Sequence, residues 1–413
     1  MNYSGILGLL LDLGAAMIGS GAETHRVEDS LYRLCAAYRF QRSEVWVVPS
    51  NIQATVIDPF GQLHTQVRHV RSMGVDFGVL DRLNDVSRRC CADTPDEAEL
   101  KRRLDEAMHP QRLKPWMRYP AAVLAGVGFG VFFNCDPLDA LVAATASLLI
   151  TVLGRLLSRR ESNPLVLNFI IAFVTELWIL LCVKLGFGRH TGNITVGVVM
   201  LLISALGTTN GVRDLVHLDT LSGVMNITAS LTGAIGIALG IALPILLLPS
   251  WSTADAIGLN PNPVVTLIAA TVGCIGFALF FGIVKWKHIV TCAIGSALTW
   301  GVYLALEPLF GSGFVPTIIG SAACALFALL SARINKAPAT VFQTICIFPL
   351  IPGAALYYTA YGVVTANAAL TKEKGLSLIM TCFAIVLGFM AIEATNRLLK
   401  KRPAAAAKKG DLR

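Results

Sequence analysis

Charge is what this sequence has least of. Only 15% of its 413 residues are Asp, Glu, Lys or Arg, against roughly 25% in an average soluble chain. So few charges cannot coat a water-facing surface of this size. The ten cysteines contain no Cys-x-x-Cys pair, and no Cys or His spacing suits a zinc site or a disulfide framework. Cys135, Cys182, Cys274, Cys292, Cys324, Cys346 and Cys382 lie in or beside apolar runs, and Cys35, Cys90 and Cys91 precede them. All read as small buried hydrophobes, and no metal or cofactor is expected. The phosphate-binding pattern Gly-x-x-x-x-Gly-Lys-Ser/Thr is absent, which speaks against direct ATP drive. No basic residue precedes the first apolar run, Ile6–Leu11, and Asp12 interrupts it. That start does not read as a signal peptide.

What is present is apolar. Hydrophobic residues make up 54% of the chain, and the mean hydropathy is +0.64. The few charges are unevenly spread. Residues 1–118 hold 15 basic and 15 acidic side chains, half of all the charges, and the whole +8 comes from the residues beyond. A soluble-type head therefore precedes a large membrane region.

In the head, Ile6, Leu9, Leu10, Leu13 and Met17 recur at helical spacing and predict an amphipathic helix. A second helix carries Val27, Leu31 and Leu34. Glu44–Ile57 reads as one strand, Pro59-Phe60-Gly61 as a turn and Leu63–Val70 as the returning strand. Asp81–Arg89 and Pro95–Met108 read as helices, the latter with Thr94 as its N-cap. The expectation is an α+β domain over 1–118, tied to the bilayer by the basic and aromatic stretch Gln111–Pro120.

Beyond it, apolar runs long enough to cross a bilayer occur at 119–134, 137–157, 165–185, 192–210, 223–248, 263–284, 288–306, 313–331, 339–361 and 375–396. Ten spans leave both termini on one side. Lys and Arg favour the loops 156–163, 211–222, 285–288 and 332–338 and the tail 399–413, which assigns that side to the cytoplasm. The +8 therefore sets orientation and is no nucleic-acid footprint. Ten spans divide into a half at 119–250 and a half at 251–398. An odd number of spans in each half makes the second run opposite to the first, the arithmetic of an inverted repeat. Pro352-Gly353 in the ninth span removes a donor and breaks the helix. Gly207-Thr208-Thr209-Asn210 is a softer break at the matching place in the fourth. Broken helices at membrane depth are tolerated where they line a cavity.

These residues carry a resemblance. Ser20-Gly21-Ala22-Glu23-Thr24-His25-Arg26-Val27-Glu28, Pro49-Ser50 and Leu83-Asn84-Asp85-Val86-Ser87-Arg88-Arg89 in the head resemble signatures of the threonine/serine exporter family. So do Asn210-Gly-Val-Arg213-Asp214 with Asp219-Thr220-Leu-Ser222-Gly223, and Pro349-Leu-Ile-Pro352-Gly353-Ala-Ala-Leu-Tyr357. The chain departs from the family pattern at Ser204-Ala205, where a Pro-Gly is expected. The resemblance implies export of small hydroxylated amino acids driven by the proton gradient. Related two-part members are associated with dicarboxylate export, and that is the competing substrate class.

Several side chains are candidates for that work. Glu176 sits mid-span, where a carboxylate is costly, and could carry a proton; a structural hydrogen bond to a neighbouring helix is the alternative. Arg213, Asp214 and Asp219 at the cytoplasmic mouth could meet the two charges of a zwitterion, or could simply pair with each other. Thr208, Thr209 and Asn210 could bond a polar solute or a neighbouring helix. Tyr357 flanks the break at Pro352 and Gly353. In the head, Gly21, Glu23, Arg26 and Glu28 invite an enzymatic reading, but Glu23 and Arg26 are spaced for an i, i+3 ion pair and no hydrolase motif surrounds them. Docking against the cytoplasmic mouth is the expected role. Expected partners are small polar amino acids, protons and the bilayer; assembly into a homo-oligomer is left open.

Overall fold

The computed structural model describes residues 2–410 apart from 71–73, 109–114, 162, 204–206, 208–209, 212–213, 216–217, 253–258 and 312. The head contains α1 (Tyr3–Gly19), α2 (Thr24–Ala37), β1 (Arg42–Val48), β2 (Asn51–Ile57), β3 (Leu63–His69), α3 (Phe77–Asp93) and α4 (Glu97–Met108). The strands form an antiparallel sheet in the order β1-β2-β3, with Val48 opposite Asn51 and Ile57 opposite Leu63. The stretch expected as one strand is thus two. Pro49 has no N–H to give a ladder, and Pro49-Ser50 closes a two-residue hairpin instead.

β2 turns Ile52, Ala54 and Val56 inward, all fully buried, as the period of two requires. Helix α1 lies against this face. Its Leu7 and Leu11 are as hidden as Ile6, Leu10 and Leu13. It touches α2, α3, α4, β2 and β3, so it is the central helix of the head and has little wet face left. Helix α3 begins earlier than expected because the Asp76 carboxylate accepts from Val79 N at 3.0 Å. Thr94 ends α3 in the left-handed region, at φ 42°. The cap of α4 is Asp96, which accepts from Glu99 N at 2.9 Å.

The rest of the chain is helical: α5 (Arg118–Phe132), α6 (Pro137–Leu157), α7 (Pro164–Lys184), α8 (Thr191–Val199), α9 (Thr220–Leu247), α10 (Pro263–Phe280), α11 (Trp286–Phe310), α12 (Phe314–Asn335), α13 (Ala339–Cys346), α14 (Gly353–Val364) and α15 (Ala368–Gly410). Among the described residues seven of these are long and apolar enough to cross a bilayer: α6, α7, α9, α10, α11, α12 and the Ala368–Asn396 part of α15. Ala339–Cys346 with Phe348–Val363, bent by 40°, are together long and apolar enough for an eighth if the pair is one span rather than a re-entrant loop. The chain is a multi-pass membrane protein. The segments expected as first and fourth spans are shorter helices. The 15 residues of α5 reach roughly 22 Å, against a hydrocarbon thickness of about 30 Å, and α8 has nine residues.

Small residues let these helices meet backbone to backbone, as membrane helices do. A Cβ added to Gly276 on α10 would lie 2.3 Å from Ala125 N on α5. One added to Gly236 on α9 would lie 2.4 Å from Leu165 O on α7, and one on Gly388 of α15 would lie 2.5 Å from Ile318 O on α12. Among the described residues the most extensive helix contacts in this region are α5 with α10, α7 with α9, and α12 with α15.

Candidate functional site

Two short helices form the middle of the membrane region. Every residue from Thr191 to Met200 and from Ala337 to Leu350 is buried, so neither α8 nor α13 has a side facing lipid. Each is interrupted. After α13 the chain passes through a short turn at Phe348–Leu350 and restarts as α14 at Gly353. Pro352 marks the interruption, as its missing N–H dictates. In the first half α8 ends at Val199 and turns at Met200–Leu202, before the break expected at Gly207. Gly207 and Asn210 are themselves helical. The two interruptions touch: a Cβ on Gly353 would lie 2.8 Å from Met200 Sδ. Thr208, Thr209 and Arg213 lie outside the described residues, as do Ser204, Ala205 and His217.

Glu176, on α7, is 1% exposed. Thr195 Oγ1, on α8, donates to its Oε2 at 2.8 Å and also lies 2.9 Å from Thr191 O. One hydroxyl hydrogen serves both acceptors. If Glu176 is protonated, its own O–H can donate to Thr195 and release that hydrogen to the carbonyl. Oε1 has no partner among the described residues. The neighbouring Thr175 Oγ1, Asn193 Oδ1 on α8 and Asn210 Oδ1 are likewise buried without a partner. Tyr357, on α14, is within electrostatic range of the Glu176 carboxyl. Buried polar atoms are ordinarily bonded, so the open Oε1 of Glu176 is able to receive a proton or a polar donor. Thr195 and Asn193 were missed by sequence reasoning. Their signal was the polar spacing Thr191-Gly-Asn193-Ile-Thr195 at the head of an otherwise apolar run.

Each interruption faces its own cavity. One of about 550 Å³ is lined by Leu201 and Leu202 and rimmed by Arg118, Arg155 and Ser158. The other, about 360 Å³, is lined by Pro349–Ala355 and rimmed by Tyr358, Lys374 and Ser377.

The head signature residues meet the membrane region directly. Thr24 Oγ1 donates to Asp214 Oδ1 at 2.8 Å, and Asn226 on α9 donates to Oδ2 at 2.9 Å. Thr340, at the start of α13, donates to Glu23, whose other oxygen pairs with Arg26 Nε at 3.2 Å. The i, i+3 pair is therefore present, but Glu23 is only 3% exposed and also reaches the second half. Ser222 donates to Val47 O at 3.4 Å, Lys285 pairs with Asp81 at 2.6 Å, Phe77 N donates to Phe281 O at 2.8 Å, and Arg88 donates to Lys336 O. Gly21 turns the chain into α2 at φ 98°, a conformation open to glycine. Burial pushes the Asp214 carboxyl up to about 7, with Glu23 and Asp219 adding to the push and Thr24 and Asn226 pulling back. Glu28 is raised too, by burial and by Asp219. Glu393, near the end of the last expected span, is 8% exposed and lines the seam with the head.

Asp136, Asp139 and His190 bring ligating atoms within 4.8 Å of one another. The oxygens of Asp139 already accept from Arg189 N at 2.6 Å, His190 N at 3.2 Å and His190 Nδ1 at 2.7 Å. That carboxylate serves to tie α6 to the start of α8.

A family model of the threonine/serine exporter matches residues 8–248, and a second, described as Threonine/Serine exporter, ThrE, matches residues 266–395. A protein of Mycobacterium tuberculosis (strain ATCC 25618 / H37Rv) named "Probable threonine/serine exporter" is 23% identical over 405 residues, covering 92% of this chain and 74% of that protein. No solved structure matches the chain.

Proposed function

The chain belongs to the threonine/serine exporter family, and from that premise we propose that it exports threonine and serine from the cytoplasm, driven by the proton gradient. Glu176 is the proton carrier. The observation that carries this reading is its buried carboxyl on α7, with one oxygen held by Thr195 of the interrupted helix α8 and the other unpartnered. A group that alternates between charged and neutral at membrane depth needs such a place. Its hydroxyl partner can follow the change by redirecting one hydrogen.

The architecture is ten spans in two inverted halves of five, with α5 and the interrupted α8 segment completing the count and both termini in the cytoplasm of a cell-membrane protein. The repeat is supported by the helix pairs. On this reading α7 with α9 is the third span on the fifth, and α12 with α15 is the eighth on the tenth. These are equivalent contacts in the two halves, while α5 with α10 joins the first spans of each. The two cavities support alternating access: one interruption faces the side of the inner loops, the other the side of the outer loops. The head, bound to Asp214 of the first half and Thr340 of the second, gates the cytoplasmic mouth.

The test is efflux from cells loaded with threonine- or serine-containing dipeptides, with and without the protein and an uncoupler. Added efflux that the uncoupler abolishes is the expected result. No added efflux of either amino acid refutes the reading, and added succinate efflux in its place assigns the dicarboxylate class.

A further inference from the structure

The seam between the head and the second membrane half encloses a cavity of about 440 Å³, within the roughly 300–1,000 Å³ usual for small-molecule sites. It is distant in sequence and in lining from the Glu176 group. Its floor carries two carboxylates that are almost out of water, Glu23 at 3% and Glu393 at 8% exposed. Its rim carries two guanidiniums that are not: the side chains of Arg26 and Arg33 are 43% and 71% exposed. Thr340 lies beside Glu23, and Asp29 pairs with Arg33 at 2.7 Å. Negative charge therefore dominates the floor, while the rim keeps a net positive charge because Asp29, 51% exposed, offsets only one of the two guanidiniums. A simple anion would meet the floor carboxylates, and a simple cation would meet the rim first. A small molecule with an ammonium at one end and a carboxylate at the other matches both. The cavity also explains the head signature, since Glu23 and Arg26 belong to that motif and Asn84, of the second head motif, also lines the wall.

We propose that this cavity binds a small zwitterionic α-amino acid, its ammonium toward Glu23 and Glu393 and its carboxylate toward Arg26 and Arg33, as the cytoplasmic loading site of the exporter. The proposal rests on the transport reading above.

Uptake of L-serine into inside-out membrane vesicles, where the head faces the medium, tests it. Arg33→Gln and Glu393→Gln should each raise KM about tenfold, the effect of losing one charge-assisted hydrogen bond, with kcat within about twofold of the unmodified protein. Ethanolamine, which lacks the carboxylate, and lactate, which lacks the ammonium, should compete poorly. Arg33 is exposed, so its variant keeps the fold even where the Glu393 variant does not. No L-serine uptake by the unmodified protein sinks the transport reading itself. Uptake with KM unchanged in Arg33→Gln, or full competition by lactate or ethanolamine alone, overturns the loading site and leaves the transport reading standing.

Discussion

The contact between Thr24 and Asp214 should make head docking dependent on pH. Asp214 is 1% exposed, and its two oxygens accept from Thr24 at 2.8 Å and Asn226 at 2.9 Å. With the head docked, burial holds its pKa at about 7; with the head released, it should titrate near the ordinary value of about 3.9. The released state then binds fewer protons between these values. Through Asp214 alone, docking is strongest below about pH 4, weakens as pH rises, and levels off above about 7, with a slope of at most about 1.4 kcal/mol per pH unit. Glu28, raised by burial and by Asp219, acts in the same direction. Thr24→Val removes a hydrogen bond to a charged acceptor, worth about 1.5–3 kcal/mol or roughly 10- to 150-fold in the docking equilibrium. The same change raises the Asp214 pKa further, because Thr24 holds it down. Hydrogen exchange of the α2 amides, corrected for the intrinsic effect of pH on exchange, reads the docked fraction. Protection should fall between pH 5 and 7 in the unmodified protein, lie lower throughout in Thr24→Val above pH 7, and lose its slope in Asp214→Asn with Glu28→Gln. An unchanged slope in that double variant refutes the linkage.

Two further outcomes test the packing. Gly276→Val must push Ala125 and Ala121, whose backbone atoms lie 2.3 and 2.9 Å from the added Cβ; it should destabilise the protein by about 1–3 kcal/mol, seen as a lower Tm in one fixed detergent. Lys285→Ala removes the ion pairs to Asp81 and Asp85, but the lysine is 55% exposed; the loss should be at most about 1 kcal/mol and should vanish at high salt.

The apolar runs were legible because a long uninterrupted hydrophobic stretch leaves few alternatives to a helix in lipid. The break at Pro352 was legible too, since proline carries its own reason. The end of α8 was not. Met200-Leu201-Leu202 contains no breaker, and the helix stops where Gly353, more than 150 residues later, lets the second interruption close against Met200. The Glu23–Arg26 pair followed from its spacing, whereas the burial of Glu23 depends on Thr340, 317 residues away. Pro49 marked a turn chemically, but its hydrophobic flanks read as one strand until the register was seen. Glu393 followed the same pattern: a charge near a span end reads as solvated unless another part of the chain covers it.

The central claim is that a proton moves with each amino acid through Glu176. Protein reconstituted into vesicles holding a pH-sensitive dye, with an imposed L-serine gradient and no pH gradient, measures this directly. The account predicts a serine-dependent pH change in the unmodified protein and none in Glu176→Gln, which keeps an oxygen for Thr195 but cannot carry the proton. Serine-dependent proton movement of equal size in Glu176→Gln would contradict it.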